Sequence, residues 1–204
     1  MLVLIRHGET TANAAGLLLG RHDVELTSRG RVQAEALAPH VASASLLLSS
    51  PLRRALDTAD GLGLGLPARV DERWVELDYG TYDGVPVTSV PAATWRAWRA
   101  DLTYRPGGGE TLAELGARVR RACEELFGVS AASDDGGVAG DLCGAARDRD
   151  VVVVTHTSPI KAAVAWAIGV GDVATWRMHL STGSITRIDW ASGAPLLRCF
   201  NVVP

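Results

Sequence analysis

Two histidines follow two runs of aliphatic residues. Residues 2–5, LVLI, lead into Arg6, His7 and Gly8, and residues 151–154, VVVV, lead through Thr155 into His156. A short run of branched apolar side chains suits a strand buried on both faces. Ligands of open α/β sheets bind beyond the carboxyl ends of the strands, so both imidazoles are expected to face one crevice. Two further stretches deliver charge to the same edge. SSPLRRALDTA, 49–59, places Arg53 and Arg54 in the first turn of a helix after a second strand, and ERWVELDYGTYDG, 72–84, places Glu76 after a short third strand. Glu72 and Asp78 are its carboxyl rivals. The chain carries a net charge of -3, so any phosphate chemistry rests on this local cluster and not on an overall positive field.

The elements that must hold these groups alternate. Strands are expected at 2–5, 45–48, about 69–71 and 151–154, with a closing pair at 184–190 and 196–202 around a Ser-Gly-Ala-Pro turn. One helix follows Thr27, with Val32, Ala36 and Leu37 on one face and Pro39 ending it near Ala38. Another runs from 52 to about 62, where Gly61, Gly63, Gly65 and Pro67 break it. Thr111 and Glu114 form a T-x-x-E capping box ahead of Leu112, Leu115, Val119 and Leu126, which predicts a helix from about 112. Ser158 and Pro159 read as the N-cap and first position of an apolar helix over 160–168. Residues 128–150, rich in Gly, Ala and Asp, are expected to form a loop insertion. This alternation predicts a sheet covered on both faces.

A length of 204 residues, 47% of them hydrophobic and 21% charged, predicts one globular domain over 1–204. The slight negative charge argues against nucleic acid as a partner. Cys123, Cys143 and Cys199 are odd in number and form no CxxC pair, which predicts neither a disulfide framework nor a zinc site, and points to a reducing compartment. No signal-peptide core precedes Arg6 and no stretch is apolar enough to span a bilayer, so a cytoplasmic protein without a membrane partner is expected. A homodimer is left open.

RHGET at 6–10, Asn13, GRHDVELTSRG at 20–30, SSPLRRA at 49–55, VELDYGTYDG at 75–84, PGGGET at 106–111 and VVVVTHTSPIK at 151–161 occur in this order. Together they resemble the histidine phosphatase superfamily, also called phosphoglycerate mutase-like; RHG alone is a weak match, the ordered set a specific one. The resemblance implies a three-layer α/β/α sandwich with a mainly parallel central sheet. It also implies a phosphomonoesterase of the small-phosphatase branch, acting on a small phosphorylated metabolite through a phosphohistidine without metal or cofactor.

In that reading His7 is the nucleophile, since a neutral imidazole attacks phosphorus without first losing a proton. Arg6 and Arg54 meet the charge on the transferring oxygens; Arg54 is chosen over Arg53 because the family arginine immediately precedes a small residue, here Ala55. His156, protonated, binds the phosphoryl group, aided by the helix N-terminus behind it and the N–H of Thr157, where the family often has glycine. Glu76 protonates the leaving alkoxide and later takes a proton from water, a role that predicts partial burial. Asn13 and Thr157 are expected to contact substrate, and Arg21 and Glu110 to touch it or support the rim.

Between the acid and the next helix, about 82–108 forms the cap-like segment where the resemblance places substrate choice. Its Trp95 and Trp98 read as the apolar face of a short amphipathic helix. Lys161 is solvated by default, with a substrate contact as the alternative. His22, His40 and His179 have no ligand-spaced partner and are expected in surface or structural roles. Two rivals remain. A mutase uses the same intermediate but generally has a longer segment after the acid, and a silent phospholigand-binding module needs none of the five core side chains that are present here.

Overall fold

Successive side chains of a strand point to opposite faces, and the aliphatic runs of this chain serve two cores at once. The computed structural model describes residues 1–129 and 142–204. Its first half comprises β1 (Leu2–Arg6), α1 (Thr11–Ala14), α2 (Ser28–Leu37), β2 (Ala44–Ser49), α3 (Arg53–Gly61) and β3 (Arg69–Val70). The second half comprises α4 (Ala92–Ala100), α5 (Leu112–Leu126), α6 (Ala145–Asp148), β4 (Asp150–Thr155), α7 (Thr157–Ala167), β5 (Ile185–Ala191) and β6 (Ala194–Val202). Leu2 and Leu4 of β1 enter a core with Leu115, Val119 and Leu126 of α5 and Ile160 and Val164 of α7. Val3 and Ile5 enter the opposite core, with Leu37 of α2 and Ala55 and Ala59 of α3. Each buried Leu, Ile and Val among these contributes roughly 1.5–3 kcal/mol, so β1 is fixed from both sides.

The sheet order is β3-β2-β4-β1-β5-β6. β3, β2, β4 and β1 run parallel, and β5 and β6 add an antiparallel hairpin beside β1. The expected sandwich is therefore observed, with a mixed sheet whose parallel part carries the site. β1 and β4 lie side by side in a register that pairs Arg6 with Thr155, so the next residue on each strand is a histidine. That register converts two remote sequence motifs into one site.

Local chemistry explains most element ends. Thr111 and Glu114 form the expected capping box of α5, and Pro39 lies in the 3-10 turn Ala38–His40 that closes α2. Two expectations need correction. α7 begins at Thr157 with His156 at its N-cap, so Ser158 and Pro159 are already inside the helix. The cap is supplied from elsewhere, by the carboxylate of Glu76. In the expected loop at 128–150, residues 130–141 lie outside the described residues, while Ala145–Asp148 form a helical turn and Asp150 starts β4. Among the described residues no helix is long and apolar enough to cross a membrane.

Gly8 and Gly30 let the loop after β1 cross α2. A Cβ on Gly8 would stand 2.3 Å from the carbonyl oxygen of Gly30, and one on Gly30 would stand 2.1 Å from that of Glu9. Both neighbours are backbone and cannot rotate away. Gly30→Ala is therefore expected to lower stability by about 1–3 kcal/mol in urea denaturation and to cut activity by displacing the loop that carries His7. A variant as stable and as active as the parent would show that the close approach is dispensable.

Candidate active site

The site is built at the carboxyl edge of β1, β2 and β4. His7 and His156 leave adjacent strand ends with ring centroids 5.1 Å apart and planes at 59°. The first residue beyond β2, Ser50, bonds through its N–H to the carbonyl of Val154 at 2.9 Å, which brings its hydroxyl to Nε2 of His156 at 2.7 Å. Arg54 enters from the first turn of α3 and is 0% exposed. Its Nε donates to Nε2 of His7 at 3.3 Å and to Nδ1 of His156 at 3.2 Å. Its Nη1 and Nη2 donate to the carbonyls of His22 and Gly20, at 2.8 and 2.6 Å.

These bonds fix both tautomers. Nδ1 of His7 lies 2.7 Å from the carbonyl oxygen of Gly8, which can only accept, so Nδ1 carries the hydrogen and Nε2 presents a lone pair. His156 has the reverse arrangement. Arg54 can only donate, so Nδ1 of His156 accepts, and Nε2–H points to Ser50. Burial, and then the charge of Arg54, holds both histidines well below the ordinary value of 6.5. The protonated His156 expected from the sequence is therefore not the form this environment favours. Burial also lowers Arg6 and Arg54 from their ordinary values.

Glu76 is 4% exposed, in agreement with the expected burial. Its Oε1 accepts from the N–H of Leu77 at 2.8 Å and of Ser158 at 3.2 Å, and its Oε2 from that of Thr157 at 3.1 Å. The first-turn donors of α7, which the sequence assigned to a phosphoryl group, are thus engaged by the acid. Arg6 gives Nη1 to the carbonyl of Leu180, while its buried Nε has no acceptor among the described residues. A cavity of about 620 Å³ opens over this floor, and its lining includes Arg6, His7, Asn13, Glu76, Tyr79 and Thr157. Neither Glu72 nor Asp78 lines it; the Asp78 carboxylate accepts from the N–H of Gly80. Asn13 uses Oδ1 to accept from the N–H of Thr10, which leaves its amide N–H₂ on the cavity side without a partner among the described residues.

Of the two roles open to Arg21 and Glu110, substrate contact or support, the geometry favours support. Arg21 bonds through Nε to the carbonyl of Glu76 at 3.0 Å and through Nη2 to Glu110 at 3.4 Å. Glu110 is also gripped by Arg118, which bonds to the carbonyls of Arg73 and Glu76. Arg21 and Glu110 therefore brace the main chain around Glu76 and do not line the cavity. Of the other histidines, His22 uses its carbonyl on Arg54, His40 uses its carbonyl on Arg187, and His179 stands exposed on the cavity wall. Ser50, Thr58 and Tyr79 were not read from the sequence. Thr58 accepts from the N–H of Gly8 at 3.0 Å and ties the His7 loop to α3. The SS doublet that ends β2 was the one local signal for Ser50. In the cap-like segment both tryptophans pack on the core as expected, stacked at 5.3 Å, and the partly buried Trp95 also lines the cavity.

The family model described as the histidine phosphatase superfamily (branch 1) matches residues 2–203. Among curated proteins, a glucosyl-3-phosphoglycerate phosphatase of Mycobacterium tuberculosis is 36% identical over 204 residues, covering 95% of this chain and 87% of its own. A structure of the mycobacterial glucosyl-3-phosphoglycerate phosphatase with VO3 superimposes with a TM-score of 0.80 at 32% identity, covering 98% of both chains. A mutant phosphoserine phosphatase of Entamoeba histolytica in complex with phosphoserine gives 0.84 at 25% identity, covering 99% of this chain and 96% of that one.

The neutral histidines have a consequence for stability. Their folded pKa values lie below the unfolded value, so the native state binds fewer protons and stability rises with pH in that interval. Urea denaturation is expected to show full stability above about pH 6.5, with stability lost as pH falls below it. The slope should be shallower in the double variant His7→Asn, His156→Asn. A stability that rises as pH falls through this window would contradict neutral burial.

Proposed function

Because the chain belongs to the histidine phosphatase superfamily, we propose that it hydrolyses the phosphomonoester of a small metabolite through a phosphohistidine at His7. The observation that carries the reading is the lone pair on Nε2 of His7, fixed by the Nδ1 bond to Gly8 and aimed at the same guanidinium N–H as His156. A phosphoryl group entering between the rings meets Arg6, Arg54 and the amide of Asn13. Nε2 forms a bond to phosphorus as the bond to the ester oxygen breaks, and that oxygen takes a proton from Glu76. A water then attacks phosphorus and gives its proton to the Glu76 carboxylate. The electron pair of the breaking N–P bond returns to Nε2, and orthophosphate leaves.

Charge explains why His156 is held neutral beforehand. A neutral ring does not compete with the phosphoryl group for Arg54, and a dianion between the two rings favours protonation of Nδ1 of His156, which then donates to it. The transferring oxygens are met by fixed dipoles and cations, so little reorganisation accompanies the reaction. No metal ion enters this sequence of steps, and none of its residues needs one.

His7→Ala is expected to abolish phosphate release from p-nitrophenyl phosphate, and acid-labile, alkali-stable phosphoenzyme should be trapped on His7 alone. Glu76→Gln should lower kcat by about 10²- to 10⁴-fold. EDTA should change neither rate, and a bisphosphoglycerate primer should not be required. Phosphate trapped on any other residue, or turnover surviving in His7→Ala, would overturn the mechanism.

A further inference from the structure

One cation on the cavity wall has no work in the steps above. Lys161 lies one helical turn beyond Thr157 on α7, and residues four apart share a face of a helix. It is half-buried and lines two spaces that share wall residues, the cavity over His7 and an annex of about 120 Å³ walled by Leu77, Trp98 and Trp176 and by the hydroxyl side chains of Ser158 and Thr175. Among the described residues it makes no hydrogen bond and no ion pair. A buried ammonium without a partner is costly, and long cationic side chains ordinarily reach water or an acid. Among the described residues the sole acid lining either space is Glu76, whose oxygens accept from three main-chain N–H groups. Burial, and then repulsion from Arg6, lowers the pKa of Lys161, while Glu76 partly opposes the shift.

We propose that Lys161 is the anion ligand of a leaving-group subsite, and that this chain's preferred substrates are phosphomonoesters whose alcohol carries a carboxylate. The proposal rests on the phosphomonoesterase reading and specifies its substrate class. The cavity of about 620 Å³ is far larger than a phosphoryl group needs, and the phosphoryl end belongs where Arg6 and His7 line it. The alcohol must then extend along the wall that carries Lys161, Tyr79 and Trp95. A single ammonium, with the hydroxyls of Thr157, Ser158 and Thr175 among the apolar walls of the annex, matches one carboxylate; a second phosphoryl group would call for a forked donor set like that below it. Trp95 and Leu18 offer an apolar flank to the carbon skeleton.

The matched pair 3-phosphoglycerate and glycerol 3-phosphate, which differ by carboxylate against hydroxymethyl, tests this directly. The parent enzyme is expected to favour 3-phosphoglycerate in kcat/KM by about 10- to 100-fold, mainly through KM. Lys161→Met should collapse that ratio toward one, and Lys161→Arg should restore most of it. A ratio unchanged in Lys161→Met, or no preference in the parent, would overturn the proposal. Calorimetric binding of both esters to His7→Ala, with and without Lys161→Met, separates it from the hydrolase reading. A carboxylate preference in binding that depends on Lys161 supports the subsite even if turnover fails, and equal binding of the two esters refutes it.

Discussion

A guanidinium buried to 0% exposure sets the terms for the rest of the molecule. Arg54 makes no ion pair among the described residues; its donors go to two imidazoles and two main-chain carbonyls. Glu76, Asp23 and Asp83 act on it only through longer-range attraction. A buried cation held by neutral acceptors is expensive, because the acceptors do not return the solvation energy that a carboxylate would. The surrounding structure tolerates it by tight placement. The 20–22 segment is fixed to Asp83 by the N–H groups of Gly20 and His22, and the β1-β4 register delivers both rings to one N–H. The result is a pocket with excess positive charge from its arginines and a neutral, singly protonated form of each imidazole, which is complementary to an anion.

The second constraint is the capping of α7. Helix N-termini leave main-chain N–H groups without partners and attract negative charge. Here the acceptor is the carboxyl group of Glu76, about eighty residues earlier in the chain, and not a side chain next to the helix. The same contacts hold a carboxyl group at the cavity wall in one orientation, with Arg21, Arg118 and Glu110 fixing the main chain behind it. Stability of the helix and placement of the acid are therefore one interaction. This explains why three charged residues that never reach the cavity cluster around the carbonyl of Glu76.

Much of this was legible in the residues. Aliphatic runs gave β1 and β4, the T-x-x-E box gave the start of α5, and the family pattern selected Arg54, which is buried, over Arg53, which is exposed and pairs with Glu25. What stayed hidden depends on distant partners. The start of α7 was misplaced by two residues because its cap is a remote carboxylate, invisible to a local reading of Ser158 and Pro159. For Arg21 and Glu110 the sequence leaves substrate contact and rim support open, because sequence order cannot show that they meet behind Glu76. The charge state of His156 follows from burial and from arginines on separate elements, so only the assembled site could reveal it.

The arrangement of protons on His7 is the point on which the chemistry turns, and it can be observed without substrate. Two-bond ¹H–¹⁵N correlation spectra of ¹⁵N-histidine-labelled protein near pH 7 distinguish the two neutral tautomers from the cation. His7 is expected as the neutral Nδ1–H tautomer with an unprotonated Nε2 that accepts from Arg54, and His156 as the neutral Nε2–H tautomer. A cationic His7, or a hydrogen on its Nε2, would contradict its assignment as a nucleophile poised before the substrate arrives.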